Sequence, residues 1–245
     1  MNSRRFGSLI TLGLLLGTAC PGIAHGPELD YQGGRVVVIT PSVLADGTGI
    51  YEDEFAFGFT NLGWQSLPTA VGGGHLTIGS TIGLAVHDLA PNFKLASPQF
   101  LFFHNGTSFA DPGSASLKIL GTTALINKGG ANFSDLPIGD VFGPDDFHDH
   151  LGVLLQSGST GVYGMLISNT STDPSVADSQ PYYLLINNDL GPAGYNQALA
   201  DLNATAIPEV STACMLGSGL AVVGLARLGR RVFFRSRSTS FVQTA

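Results

Sequence analysis

The densest run of ionisable residues in this chain is Asp145-Asp146-Phe147-His148-Asp149-His150. Read as an extended segment, it puts His148 and His150 on one face, because side chains alternate along a strand. Two imidazoles at that spacing can share one Zn²⁺ or Cu²⁺, with a carboxylate from elsewhere as a third ligand. Asp149 then faces the other way, while Asp146 falls on the histidine side and is the better partner. A distant histidine is the other route to a third ligand; His104 is the first choice, and His75 and His87 are the remaining internal ones. The metal set expected is therefore His148, His150, Asp146 and His104, with zinc as the ion. The plainer reading of the same residues is an acidic loop with two solvated histidines at a strand start.

Other chemistries have thinner support. Asp46-Gly47-Thr48-Gly49 and Glu52-Asp53-Glu54 offer oxygen ligands for Ca²⁺, but no twelve-residue EF-hand pattern is present, so calcium ranks below zinc. Gly158-Ser159-Thr160-Gly161 reads as a turn between strands, not the strand-to-helix turn of a nucleophile elbow. No glycine-rich loop followed by Lys-Ser or Lys-Thr marks a phosphate site. A carboxylate pair for glycoside hydrolysis stays open, since its members can lie far apart in sequence. No such pair stands out, and no catalytic residue is assigned. Trp64, Tyr182 and Tyr183 are the aromatic candidates for sugar contact, with the two tyrosines on opposite faces.

Charge narrows the partners. Between residues 25 and 206 only Arg35, Lys94, Lys118 and Lys128 are basic, against seventeen acidic residues, a balance of −13. Such a surface repels phosphates and has no basic footprint for nucleic acid. It attracts cations. Cys20 and Cys214 are the two cysteines, one near each end, so the stretch between them has no disulfide and must be held by its core.

The elements that must position these residues read as strands. Arg35–Ile39 is a β-branched run, and 82–86, 100–103, 116–120, 151–156, 161–167 and 182–186 follow the same kind of pattern. Phe93 to Leu95 and His75 to Ile78 read as further strands. Phe55, Phe57 and Phe59 alternate with small residues, which predicts a strand with one aromatic face, capped by Trp64. Residues 125–146 are rich in Gly and Pro and read as loop. A short helix is expected over 195–202. Many short strands between Gly/Pro/Asp turns, with no room for helical crossovers, predict an all-β body, an antiparallel β-sandwich or jelly roll.

The two ends read as addresses. Arg4 and Arg5, the apolar run 6–19, then Gly22-Ile23-Ala24 follow the three-part layout of a secretory signal, removed after residue 24. Thr18-Ala19-Cys20 also fits half of a lipobox. Pro208-Glu209-Val210-Ser211-Thr212 precedes the uncharged run 213–226 and the arginines 227, 230, 231, 235 and 237. A spanning helix needs about 20 apolar residues, so this one reaches across only if its first arginines snorkel. The arginines would stay on the cytoplasmic side. This order resembles the PEP-CTERM sorting signal of Gram-negative bacteria, which usually reads Pro-Glu-Pro where this chain has Val210. The resemblance implies export past signal peptidase, transient holding in the inner membrane by a transmembrane helix, processing by an exosortase, and delivery to the cell surface or extracellular matrix.

A second likeness covers the middle. Tyr51-Glu52-Asp53-Glu54, His75-Leu76-Thr77-Ile78, Phe102-Phe103-His104-Asn105-Gly106-Thr107-Ser108, His148-Asp149-His150, Gly161-Val162-Tyr163 and Ala177-Asp178-Ser179-Gln180-Pro181-Tyr182-Tyr183 resemble a zinc-regulated group of PEP-CTERM surface proteins. The expected organisation is a signal peptide over 1–24, an exported β domain over 25–206, a sorting segment over 207–237 and a polar tail over 238–245. The expected function is a non-catalytic surface or matrix protein with a weak zinc site. The alternatives are a purely structural or adhesion protein, in contact with surface polysaccharide, and a secreted hydrolase of such polysaccharide.

Overall fold

Strand-forming runs dominate the folded chain because apolar side chains recur at every second position and Gly, Pro, Asn and Asp interrupt them. The computed structural model describes residues 27–66, 75–143 and 146–206. The expected signal segment, sorting segment and tail lie outside the described residues, as do Cys20, Cys214 and Asp145. No helix among the described residues is long and apolar enough to cross a membrane.

In chain order the elements are β1 (Glu28–Gln32), β2 (Arg35–Ile39), β3 (Ser42–Val43), β4 (Gly49–Glu54), β5 (Phe59–Ser66), β6 (Thr81–His87), α1 (Ala90–Phe93), β7 (Phe102–His104), β8 (Phe109–Ala110), β9 (Ser116–Ile119), β10 (Leu125–Asn127), β11 (Gly130–Ala131), β12 (Leu136–Asp140), β13 (His148–Gln156), β14 (Gly161–Ser171), β15 (Tyr182–Asn188) and α2 (Pro192–Ala206). The body is all-β, as expected. One sheet runs β11-β10-β9-β13-β5-β1-β2. The other runs β12-β6-β14-β15-β4-β3, with β7 and β8 joined to β14 beside β6. Most pairings are antiparallel, but β1 lies parallel to β5 and β15 parallel to β4, so both sheets are mixed.

The main core takes side chains from both sheets. Leu29, Leu62, Trp64, Leu117 and Val153 come from the first, and Ile82, Leu84, Tyr163, Ile167 and Ile186 from the second. A smaller cluster covers the outer face of the second sheet, where Leu89, Phe102, Val162, Tyr183, Ala198 and Leu202 pack together. Both faces of β14 are therefore buried, and its sequence reads as a continuous run with little alternation. Tyr182 and Tyr183 fall into different clusters, as alternation requires. α2 is latched by polar contacts as well: the Tyr195 hydroxyl donates to Glu52 Oε2 at 2.7 Å, and Asn203 Oδ1 accepts from the Ala45 N–H at 2.8 Å.

Four local expectations change. Phe93 ends α1, which starts at a proline near its first turn and stops at Lys94 in the left-handed region. The aromatic run 55–59 is a tight turn: Phe55 is buried, Phe57 is wholly exposed, and β5 begins at Phe59. Residues 75–80 form no strand. Residues 125–140 do contain strands, β10 to β12, because each finds a neighbour: β10 pairs with β9 and β11, and β12 with β6.

A buried polar chain crosses the core. Trp64 Nε1–H donates to the Tyr182 hydroxyl at 3.1 Å, which donates to Asn169 Oδ1 at 2.9 Å, and Asn169 Nδ2 donates to the Gly83 carbonyl at 3.2 Å. Tyr182→Phe strands the Trp64 N–H and the Asn169 oxygen, each worth about 1–3 kcal/mol when left unpaired. The expected loss is about 2–4 kcal/mol in urea unfolding, and a loss below about 1 kcal/mol would show that the chain matters little.

Alkaline pH gives a second test. Burial pushes the phenols of Tyr51 and Tyr183 up to about 12, and it raises those of Tyr182 and Tyr195 as well. Tyr195 is raised further by its bond to Glu52 and by that residue's charge. These phenols are neutral in the fold, whereas unfolded tyrosine ionises near pH 10. Their contribution is thus whole below about pH 10 and is lost as pH rises through about 12. Urea midpoints taken from pH 8 upward should hold and then fall across that window.

Candidate metal centre

The site starts with the alternation of β13. Leu151, Val153 and Leu155 turn inward to the core, so His148 and His150 turn outward. Antiparallel pairing with β5 sets His148 opposite Gln65 and His150 opposite Gly63, which has no side chain to crowd the ring. His148 is exposed and His150 half-buried. Their Nε2 atoms stand 2.8 Å apart, with ring centroids at 4.8 Å and planes at 46°. One ring must donate and the other accept. His150 Nδ1 is buried and has no hydrogen-bond partner.

The two rings thus aim their ε nitrogens at one point. Two nitrogens on one tetrahedral zinc lie about 3.3 Å apart. A small opening of the pair would admit the ion in place of the shared proton.

The expected third ligands are not gathered there. Asp149 faces away, its carboxylate pressed against Gly139. Asp146 is exposed, with its side chain beside Gly143 in a turn closed by the Asp146 N–H on the Gly143 carbonyl. His104 lies in the other sheet and is wholly buried. Its Nδ1 accepts from the Gly106 N–H at 3.1 Å, so its Nε2 carries the proton and donates to Asp201 Oδ2 at 2.9 Å. That bond, with a second from Gln197, holds the Asp201 carboxyl below the usual carboxylate range. His104 is engaged as an anchor for α2. Its partner Asp201 gave no sequence signal, since nothing local relates positions 104 and 201. Among the described residues, no group of three or more His, Cys, Asp and Glu side chains could hold an ion.

Other candidates are also occupied. His87 Nε2 meets the Ser168 hydroxyl at 2.8 Å, and burial lowers the pKa of its ring against the opposing charge of Asp178. Ser168 is a buried mid-strand residue of β14, which is not the exposed turn a nucleophile needs. The β4 acids are divided between partners: Glu52 takes Tyr195, and Asp53 Oδ2 accepts from the Thr60 hydroxyl. Trp64, Tyr182 and Tyr183 are buried and present no face to a sugar.

No protein-family model, curated protein or solved structure matches this chain.

The Nε2 to Nε2 contact fixes an expectation for the neutral pair. One ring must carry its proton on Nε2 and the other on Nδ1. Long-range nitrogen–proton correlation spectra at neutral pH should show one of each tautomer for His148 and His150. Two rings of the same tautomer would mean that the contact is not made in solution.

Proposed function

We propose that the protein is an exported, non-catalytic surface or matrix protein whose β-sandwich body carries an open transition-metal site at His148 and His150, with zinc as the ion. One observation carries the metal reading: the two imidazole ε nitrogens converge on the exposed face of β13. The acidic body supports it, since a surface balance of −13 concentrates cations around the pair. Two ligands are too few for a structural zinc, which is four-coordinate with protein side chains. The remaining positions belong to water or to groups from outside the chain, and the ion exchanges readily. Such a site suits capture or relay of metal at a surface more than a folding role.

The export reading rests on the sequence. The charged and apolar segments at 1–24 and 207–237 bracket an acidic middle as a signal and a sorting segment would. Signal peptidase and an exosortase are then the processing partners, with the inner membrane as a temporary station.

Zinc calorimetry on the full-length chain, beside His148→Ala/His150→Ala, tests the metal reading. Affinity should drop at least roughly ten-fold in the double variant. It should also weaken as pH falls, because protons compete for the imidazoles. Equal heats from both proteins would reject this pair, and no heat from either would leave a structural or adhesion role as the better reading.

A further inference from the structure

At the far end of β13, about 25 Å from the histidines by strand length, the loops β4–β5, β13–β14 and β15–α2 enclose a cleft of about 540 Å³. Its floor is apolar, made by Phe55 and Leu155, and its rim is polar, with Ser157, Asn188 and Asp189. Phe57 stands beside it at the tip of its turn, 107% exposed. A phenylalanine that touches none of the core is poor use of an apolar side chain unless something covers it.

Backbone conformation singles out the same place. Among the described residues, four non-glycine residues adopt the left-handed region, and three of them line this cleft: Phe57 (φ 55°), Ser157 (φ 54°) and Asp189 (φ 58°). Left-handed backbone is unfavourable for a side-chain-bearing residue, phenylalanine above all, and such strain clusters at ligand sites. Gly58, which follows, is left-handed too (φ 77°), so the turn has a glycine at its second position and an aromatic ring at its first.

We propose that this cleft binds a neutral pyranose unit of a polysaccharide. The C–H face of the sugar stacks on the Phe57 ring, whose electron-rich face attracts polarised C–H groups. Ring hydroxyls donate to the Asp189 carboxylate, which makes no hydrogen bond to a described residue. Asn188 and Ser157 complete the polar rim. The volume lies in the range of small-ligand clefts. The acidic body disfavours uronates and anionic lipid, so among sugars it favours the neutral ones.

The test is saturation-transfer NMR on the full-length chain with hexasaccharides of β-1,4-glucan, β-1,3-glucan, α-1,4-glucan and β-1,4-mannan. Saturation of the aromatic protons should reach the ring protons of at least one of them. Phe57→Gly should weaken that binding by roughly ten-fold or more. It should keep or raise the melting temperature, because glycine relaxes the left-handed backbone. Asp189→Asn tolerates the same backbone and should weaken binding alone. Silence from all four sugars, or equal transfer in Phe57→Gly, would overturn the proposal. So would binding to phosphatidylcholine vesicles that disappears with Phe57.

Discussion

The hydrogen-bonded chain from Trp64 through Tyr182 and Asn169 to Gly83 ties the two sheets together across an otherwise apolar core. Inside a low-dielectric interior such a chain is costly unless every member is paired, so it admits one register of β5, β6, β14 and β15. A slip by one residue in β5 would turn Trp64 out to solvent. It would also break the pairing with β13, where Asp149 sits opposite Trp64 and His150 opposite Gly63. The outward aim of His148 and His150 is set by Leu151, Val153 and Leu155 of the same strand, which turn into the core, and pairing with β5 places Gly63 beside His150. With no cysteine among the described residues, hydrogen bonds and packing alone enforce this register.

How much of this was legible follows from which forces are local. The runs at 35–39, 161–167 and 182–186 announce strands because β-branched and aromatic residues fit a pleated surface wherever they pair. The Phe55, Phe57, Phe59 alternation misled because period two also occurs in a short turn, and Gly58 was the signal to weigh. Residues 125–140 looked like loop because Gly and Pro are frequent there. Only the neighbours β9 and β6 make strands of them, and those neighbours are not encoded nearby.

The same division holds at the sites. The histidine pair could be read because its geometry needs only two residues and an extended backbone. A third ligand could not, because strand order decides it: His104 goes to the opposite sheet and meets Asp201 on α2. The cleft at the other end of β13 was invisible for the same reason. Phe57, Ser157 and Asp189 are about 130 residues apart at their widest and meet only through closure of the sheets. A rigid strand then separates two surfaces of different chemistry, one presenting nitrogen donors and one an aromatic ring with oxygens.

The parallel pairing of β4 with β15 has a consequence in time. Ile50 is aligned with Tyr183, about 130 positions later, so the partner of an early strand is among the last to be made. A chain that emerges from its N-terminus must carry β4 with one edge open until nearly the whole body has followed. β3 covers the other edge only briefly, over two residues. Glu52, Asp53 and Glu54 place three like charges on the waiting strand, and charge on an open edge discourages pairing with stray chains. Closing so wide a loop comes late and slowly.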